Sequence, residues 1–516
     1  MPDHDSTPQH LAAAIALHRQ GKLAEAEQAY RRILSETPHA FDALHLLGVL
    51  TLQRGQAPEG LALIARALSV RPDSAEAWST LALGQARLRR YGEALASYDR
   101  VVALKPGDAA AHTGRGNALM ELRRFADALA AYDRAIALNP GHAAAHHNRG
   151  TALKELSRHG EALAAYDRAI ALQPDYAEAF NNRGAALKDL RRYDEALASF
   201  ARAVALRPGY AEAHYNEALC RLLLGEFEIG WQKYDWGWRR ATVSPRRHAD
   251  IPAWLGEKPV AGKTLLVHAE SGLGDAIQFC RYVPLLAAQG ARVIVEVPPV
   301  LKVLMRSLEG AESVLGQGEA VPAVDLQCPM FGLPRAFKTA LGTVPNRVPY
   351  LAADRDRVLA WRAEIGRQGL KIGIACSGNP LNAQDHQRSL PLSLFALLLR
   401  RDRRLFYLQK DRRPDDAAFL AARPEIRDLH HLALEETAAA IECQDLVISA
   451  DTSIAHLAGA LGKPVWIALP YAADWRWLAD REDSPWYPGA RLFRQQRMGD
   501  WEAVMTRVAD ALPTPK

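Results

Sequence analysis

Three polar segments of this sequence combine glycine, carboxylate, hydroxyl and basic side chains after short apolar runs. The first, GLGD, ends at Asp275 and follows the apolar run Thr264–Ala269. Its two glycines permit a tight turn between a strand and a helix. An aspartate there could act as a general base, or it could cap a helix over residues 276–288. The segment lacks the third glycine of the dinucleotide-binding fingerprint.

The second segment, SGNP followed by RSLPL, comes after the apolar run Lys371–Cys376. Ser377, Gly378 and Asn379 could offer hydrogen-bond donors to an anion. Arg388 could bind a phosphate through two N–H groups. For the loop by itself, a plain polar connection is an equally good interpretation.

The third segment, DTSIAHLAGALGKPV, begins where the apolar run Leu446–Ala450 ends. A helix that starts at Thr452 and Ser453 would present free N–H groups and the positive end of its dipole, which suit a diphosphate. Asp451 and His456 would lie at the same end of that helix. The alternative is that the first three residues only cap the helix and that His456 is a packed core histidine.

The elements that would position these segments are short strands alternating with helices. The predicted strands are Thr264–Ala269, Arg292–Val297, Lys371–Cys376, Leu405–Gln409, Leu446–Ala450 and Val465–Ala468. Such alternation indicates βαβ units with parallel sheets, which bind ligands at the carboxyl ends of their strands. Gln409 and Lys410, at one such end, are further candidates for ligand contacts. We expect two Rossmann-like lobes, over residues 262–350 and 351–500, and a closing helix in 501–516.

The first 240 residues follow a different pattern, with a period of 34. The repeated prolines are Pro38, Pro72, Pro106, Pro140, Pro174 and Pro208. A small residue that lets two helices approach and an aromatic residue that fills the gap recur at the same spacing. The pattern resembles tetratricopeptide repeats, with six full repeats over about residues 7–208 and a divergent helix pair after them. It predicts an all-α TPR superhelix over 1–240 and a linker over 241–261.

Asparagine occupies the sixth repeat position in three successive repeats, as Asn148, Asn182 and Asn216. In the tetratricopeptide family this position faces the groove of the superhelix, and protein O-GlcNAc transferases carry a similar series. An asparagine has both a donor and an acceptor, so it can bind the backbone of an extended peptide. Chance asparagines on solvated helix faces are the alternative. The pattern favours a groove that binds a protein acceptor.

Residues 262–512 resemble the GT-B glycosyltransferases, specifically the heptosyltransferase-like family 9 group. The matching pieces are GLGD, the SGNP…RSLPL loop and DTSIAHLAGALGKPVW. The resemblance implies metal-independent, inverting transfer of a hexosyl, heptosyl or N-acetylhexosaminyl group from a nucleotide-diphosphate sugar. It implies catalytic roles for Asp275, as the base, and for Arg388 and His456. The donor-binding residues that it implies are Ser377, Gly378, Asn379, Asp451, Thr452, Ser453 and His456. Gln409 and Lys410 are further donor-binding candidates because they lie at another strand end.

Two features qualify this resemblance. Relatives usually carry an aromatic residue where this chain has Cys376, which we interpret as a small buried strand residue. The Asp354-Arg355-Asp356 run looks like the metal-binding D-x-D of other transferases, but it lies between the two predicted lobes and not at a strand end, so we interpret it as solvated charge. The resemblance to GT-B enzymes implies that no metal cofactor is needed. The alternative function is a TPR scaffold whose GT-B domain is catalytically silent.

Composition excludes several other classes of protein. A net charge of +5 over 516 residues, with both signs interleaved, is not a nucleic-acid footprint. Five scattered cysteines favour a reducing compartment over disulfides or zinc. The polar N-terminus is unlike a signal peptide, and no apolar run reaches the roughly 18 residues of a membrane span. We expect a cytoplasmic bacterial enzyme whose acceptor is a protein, such as a flagellin-like one; a homodimer is left open.

Overall fold

The computed structural model describes residues 7–240, 247–380 and 385–513. The chain divides into two compact units, one formed by residues 1–190 and 205–207 and the other by residues 191–204 and 208–516. The first part of the predicted linker, residues 241–246, and four residues of the SGNP…RSLPL loop, 381–384, lie outside the described residues.

Helices alone make up the described chain up to Arg240. The α-helices are α1 (Thr7–Arg19), α2 (Leu23–Glu36), α3 (Phe41–Gln53), α4 (Ala57–Val70), α5 (Ala75–Arg87), α6 (Tyr91–Leu104), α7 (Ala109–Glu121), α8 (Phe125–Leu138), α9 (Ala143–Glu155), α10 (His159–Leu172), α11 (Ala177–Asp189), α12 (Tyr193–Leu206), α13 (Ala211–Leu223) and α14 (Phe227–Tyr234). Within the first unit each helix packs against the next along the chain.

The repeated residues have the physical roles that the sequence predicts. Each repeated proline stands two residues after the end of a helix, as Pro72 does after α4, where it cannot extend the hydrogen-bonded ladder. Gly116 on α7 lies against the buried ring of Tyr132 on α8. A Cβ atom added to Gly116 would come within 2.5 Å of that ring. The small residue is therefore needed for close helix approach.

The turn between the two helices of a repeat requires a residue with a left-handed backbone conformation. Some repeats have glycine at this position and others have a residue with a side chain. Gly55 has φ +79°, and Ser157, three repeats later, has φ 59°. A left-handed conformation costs a non-glycine residue about 1–2 kcal/mol, and glycine's extra unfolded-state entropy offsets part of this.

We therefore expect Ser157→Gly to stabilise the repeats by about 0.5–1 kcal/mol. The matched change Gly55→Ser should destabilise them by a similar amount, since nothing lies within 4 Å of a Cβ added there. Denaturant unfolding followed by the helical circular-dichroism signal measures both. Equal stability of Ser157→Gly and the parent would show that this turn carries no such strain.

The second unit continues with ten described strands and ten further α-helices. The strands are β1 (Thr264–His268), β2 (Arg292–Val297), β3 (Ala311–Gly316), β4 (Leu326–Pro329), β5 (Leu370–Ala375), β6 (Arg403–Tyr407), β7 (Ile426–Asp428), β8 (Leu446–Ala450), β9 (Val465–Leu469) and β10 (Ala490–Arg494). The helices are α15 (Leu273–Phe279), α16 (Val283–Ala288), α17 (Lys302–Met305), α18 (Leu333–Ala336), α19 (Arg355–Ile365), α20 (Asp385–Arg388), α21 (Pro414–Ala421), α22 (Leu434–Glu442), α23 (Ser453–Ala460) and α24 (Trp501–Ala511).

These strands form two parallel sheets. The first has the order β3-β2-β1-β4 and the second the order β10-β9-β8-β5-β6-β7. Numbered from β5, the second sheet reads 3-2-1-4-5-6, the order of a doubly wound Rossmann sheet, and the first sheet is its four-stranded counterpart. In such sheets ligands bind where the strand order reverses, beside β1 in the first sheet and between β5 and β8 in the second. The predicted fold class, an all-α TPR region followed by an α/β GT-B region, is confirmed.

All six strands that the sequence predicts form, with ends displaced by at most two residues. Strands β3 and β10 lie at sheet edges and carry polar residues, β7 has three residues, and β4 ends in a proline, so these four lack a strong apolar signal. The helix predicted over 276–288 begins earlier, at Leu273, and a 3₁₀ turn at Cys280–Tyr282 divides it. Pro284 explains the division, because it has no N–H to continue the helix.

The last helix pair, α13 and α14, belongs to the second unit and contributes to its hydrophobic core. Trp231 on α14 is buried and meets Trp475 edge-on, with ring centroids 5.2 Å apart. It also contacts Phe279 of α15. Trp231 therefore packs α14 into the hydrophobic core of the second unit. Across the described ranges, no helix is both long enough and apolar enough to cross a membrane.

Candidate functional site

One cleft of the second unit collects the carboxyl ends of strands from both sheets. Its volume is 570 Å³, and its walls follow β1 of the first sheet and β5, β6, β8 and β9 of the second. The residues that the sequence predicts for catalysis and donor binding all line it: Asp275, Ser377, Gly378, Asn379, Arg388, Gln409, Lys410, Asp451, Thr452, Ser453 and His456. Their roles remain predictions, but the structure brings them together.

Asp275 occupies the third position of α15 instead of preceding the helix. One carboxylate oxygen, Oδ2, accepts a hydrogen bond from the N–H of Gly272 at 3.1 Å, which satisfies the cap of this helix. The other, Oδ1, accepts from Nη2 of Arg476 at 2.6 Å. The side chain keeps 21% of its surface exposed, so a substrate in the cleft can still reach it.

The two lobes approach closely where α15 meets α23. A Cβ atom added to Gly274 would come within 2.8 Å of the His456 ring. Thr452 caps α23 by accepting from the N–H of Ile454, and its hydroxyl lies 3.1 Å from that of Ser449. The glycine of GLGD therefore permits an inter-lobe contact as well as a turn, and the start of α23 faces the cleft as the sequence predicts.

Burial controls the charge of the two titratable residues beside this helix. Burial, reinforced by the Asp474 carboxylate, raises the pKa of Asp451 to about 6. Burial, together with the positive charge of Arg476, lowers the pKa of His456 well below its ordinary value, so the ring is neutral at pH 7. Its Nδ1 lies 2.9 Å from the hydroxyl of Tyr487, and the ring stacks on Trp477. His456 is thus both a packed histidine and a residue of the cleft wall.

Arg388 and Lys410 bring positive charge to the second lobe's side of the cleft. The Arg388 side chain is 27% exposed, and its Nε lies 3.4 Å from Asp385. Asp385 also accepts from the N–H of Gly378 at 3.0 Å and pairs with Arg413. Because Asp385 has these other partners, the guanidinium of Arg388 can turn toward an anion without leaving a buried carboxylate unpaired.

The amide of Gln409 is fully engaged within the protein. Its Oε1 accepts from the N–H groups of Ser377, at 2.7 Å, and of Cys376, at 3.1 Å. Its Nε2 donates to the Ser377 hydroxyl and to the carbonyl oxygen of Asp411. These four bonds use its hydrogen-bonding capacity, so Gln409 braces the Ser377 turn. A direct donor contact from this side chain would require that bracing to break.

Cys376 is completely buried directly after β5. Burial, together with the nearby Asp416, raises the pKa of its thiol to about 12, so a reactive thiolate does not form near neutral pH. This geometry agrees with a small buried residue. Asp354 of the D-x-D run caps α19 by accepting from the N–H of Arg357, and this run does not line the cleft.

Two charged residues of the cleft wall, Asp474 and Arg476, were not singled out by the sequence. They lie in a Trp- and Arg-rich segment after β9, whose composition distinguishes no single side chain. Arg476 bonds to Asp474 at 2.7 Å and to Asp275 at 2.6 Å. The sequence signal for this pair is only an aspartate after a strand with an arginine two residues later. That signal is too weak to identify Asp474 and Arg476 as site residues.

The asparagines predicted for acceptor binding lie on α9, α11 and α13. In the first unit, Asn148 donates to Oδ1 of Asn117, at 2.9 Å, and lies 2.9 Å from Nδ1 of His147. Nε2 of His147 lies 2.9 Å from Nδ2 of Asn182. Burial lowers the pKa of His147, so a neutral ring can donate to Asn148 and accept from Asn182. The two asparagines thus share one hydrogen-bond network. Asn216 belongs to the second unit.

Comparison with known protein families agrees with both halves of this description. Tetratricopeptide repeat models match residues 17–84, 113–177 and 177–210. The model of glycosyltransferase family 9 (heptosyltransferase) matches residues 425–473, which contain the whole Asp451–His456 segment. Tetratricopeptide repeats therefore precede a segment that is similar to glycosyltransferase family 9 (heptosyltransferase). The family 9 match does not extend to Asp275 or Arg388.

Among curated proteins, Protein FlbA of Caulobacter vibrioides is 27% identical over 327 residues, covering 58% of this chain and 54% of FlbA. The chain thus spans about half the length of that relative. Similar solved structures include two tetratricopeptide repeat proteins. YrrB, described as a TPR protein with an unusual peptide-binding site, is 20% identical with a TM-score of 0.34 and covers 37% of this chain and all of its own. A tetratricopeptide repeat protein from Parabacteroides merdae is 17% identical with a TM-score of 0.39, covering 45% of this chain and 91% of its own.

Proposed function

We propose that this family 9 domain is a metal-independent, inverting glycosyltransferase that uses a nucleotide-diphosphate sugar. The observation that carries the proposal is the single cleft, in which Asp275 of the first lobe shares one space with Arg388 and the start of α23 in the second. Sugar transfer needs a base for the acceptor hydroxyl and positive groups for the departing diphosphate, and the cleft supplies both.

In the proposed reaction, Asp275 takes the proton of the acceptor hydroxyl while that oxygen attacks the anomeric carbon. The new carbon–oxygen bond forms on the face opposite the diphosphate, and the bond to the diphosphate breaks with its electron pair leaving on the phosphate oxygen. Arg388, Lys410 and the N–H groups at the start of α23 stabilise the added negative charge. We expect Asp451 and Ser453, which line the cleft, to contact the bound donor.

Turnover of nucleotide sugars tests the reaction directly. A panel of uridine, guanosine, adenosine and cytidine diphosphate sugars is incubated with the protein, with and without EDTA, and release of nucleoside diphosphate is measured. We expect turnover of at least one donor, unaffected by EDTA. If no donor is turned over while a partner protein still binds to the repeats, the scaffold function is favoured. Cys376, which stands where relatives usually carry an aromatic residue, also favours the scaffold function.

We propose further that the acceptor is a protein bound by the repeats through Asn148, Asn182 and Asn216. A single hydrogen bond contributes about 0.5–1.5 kcal/mol, so losing three of them should weaken acceptor binding by tenfold or more, roughly. We expect the triple change to alanine to raise the KM for a protein acceptor by that factor and to leave donor hydrolysis unchanged. Asn139→Ala, at the end of α8, is the control. An unchanged acceptor KM would favour a glycan or lipid-linked acceptor.

The raised pKa of Asp451 predicts a pH dependence for donor binding. From about pH 7.5 to about pH 5, Asp451 gains a proton because its pKa is about 6, and the cleft loses one negative charge. The diphosphate diester of a nucleotide sugar does not titrate in this range. We expect the Kd of the nucleotide sugar to fall about tenfold as the pH is lowered. This is the size of effect expected when the repulsion between the diphosphate and one carboxylate several ångströms away is removed.

Calorimetric titration of the parent and of Asp451→Asn measures this effect. The asparagine variant should bind at both pH values about as tightly as the parent does at low pH. Weaker binding by the parent at low pH would contradict the assignment.

A further inference from the structure

Arg476 makes more polar contacts in the cleft than the two ion pairs alone. Its Nη2 donates to Oδ1 of Asp275 at 2.6 Å, its Nη1 to Asp474 at 2.7 Å, and its Nε to Oε1 of the fully buried Gln278 at 2.9 Å. The donors point to three partners in different directions, so the guanidinium has one defined orientation.

The backbone that carries Arg476 is also held firmly. Arg476 belongs to a 3₁₀ turn, Trp475–Trp477, that Asp474 caps by accepting from the N–H of Arg476. The guanidinium lies 4.5 Å from the Trp475 ring centroid. Trp475 in turn packs edge-on against Trp231 of the last repeat helix. The side chain is therefore fixed by packing on its apolar side and by hydrogen bonds on its polar side.

Arg476 keeps its positive charge in this place. Burial by itself would lower the pKa of Arg476, but the carboxylates of Asp474 and Asp275 outweigh burial and raise it. Two carboxylates surround the guanidinium of Arg476, so its positive charge is already neutralised. In this respect it differs from the partly exposed Arg388 and the exposed Lys410. A charge that is already balanced contributes little to diphosphate binding.

We propose that Arg476 is a positioning residue, which holds Oδ1 of Asp275 while the N–H of Gly272 holds Oδ2, so that the carboxylate presents its remaining lone pairs to the acceptor hydroxyl. Both oxygens have a fixed donor, and rotation of the carboxylate would break one or both bonds. This inference depends on the proposed transfer, because it assigns Asp275 the role of base. It adds a residue of the Trp- and Arg-rich segment to the machinery.

Steady-state kinetics separate positioning from donor binding. For Arg476→Gln we expect kcat to fall by about ten- to hundredfold, the scale of an ångström-sized misplacement, with less than about a threefold change in donor KM. Arg476→Lys keeps a charged donor, so its kcat should fall less than that of Arg476→Gln. The matched control is Arg221→Gln, because Arg221 also bridges two carboxylates, Glu217 and Glu226, but does not line the cleft. A donor KM that rises as much as kcat falls would make Arg476 a donor-binding residue and overturn the proposal.

A thermal double-variant cycle tests the link without turnover. Each of Asp275→Asn and Arg476→Gln weakens or removes the same Asp275–Arg476 ion pair, so the double variant should lower Tm by less than the sum of the single variants. Additive shifts would overturn the positioning proposal alone, even if the protein transfers sugar. Coupled shifts in a protein that turns over no nucleotide sugar would overturn the proposed transfer, and with it the role of Arg476 in catalysis.

Discussion

Asp275→Asn should lower kcat for sugar transfer by about a thousandfold, within the range that general bases contribute. The side chain keeps its size, but the amide nitrogen has no lone pair that can take the proton of the acceptor hydroxyl. Because the donor is expected to lie against the opposite lobe, its KM should change by less than about threefold. Initial rates at saturating donor and acceptor, together with calorimetric donor binding, measure the two effects separately.

The control for this change is Asp356→Asn. Asp356 belongs to the D-x-D run at the start of α19, is exposed, and does not line the cleft. We expect it to retain the activity of the parent. If instead Asp356→Asn abolished transfer and Asp275→Asn did not, the D-x-D run would be the functional carboxylate site and the assignment of the base would be wrong.

Arg388→Gln should lower kcat by about a hundredfold and also raise the donor KM. Removing one preorganised group that stabilises developing charge typically costs about 10²–10³ in kcat. The loop should survive the change, since Asp385 keeps its bonds to Gly378 and Arg413. Arg388→Lys should lose less activity than Arg388→Gln, because lysine keeps the positive charge. It should still be less active than the parent, because lysine lacks the guanidinium's paired donors.

Arg412→Gln is the matched control for Arg388. Arg412 follows the same lobe's β6 and pairs with Asp428 at 2.8 Å, but it does not line the cleft. Both variants lose one positive charge from the second lobe. Equal losses of activity would mean that the lobe's overall charge matters, and that Arg388 has no specific contact with the diphosphate.

Strong periodicity explains why so much of the fold could be predicted from the sequence. The 34-residue spacing of prolines fixes the helix ends, and buried parallel strands such as Leu446–Ala450 are continuous apolar runs. The carboxyl ends of such strands share one edge of a sheet. Polar residues that follow them, such as Asp451 and Ser377, could therefore be expected near one another.

The parts that could not be predicted depend on contacts between distant segments. Arg476 approaches Asp275, 201 residues earlier in the chain, only because the turn after β9 crosses to the first lobe. Edge strands such as Ala311–Gly316 have no alternating apolar face to reveal them. Pro284 divides the first-lobe helix because it has no N–H to donate. A prediction based on the spacing of apolar residues does not include this effect.

A crystal structure with the most tightly bound nucleotide sugar tests the central claim most directly. We expect the diphosphate to contact Arg388 and the start of α23 at Thr452 and Ser453. We also expect the anomeric carbon to face Asp275 from the side opposite the diphosphate. A nucleotide sugar bound outside this cleft, or bound with its diphosphate between Asp275 and the sugar, would contradict the proposed transfer.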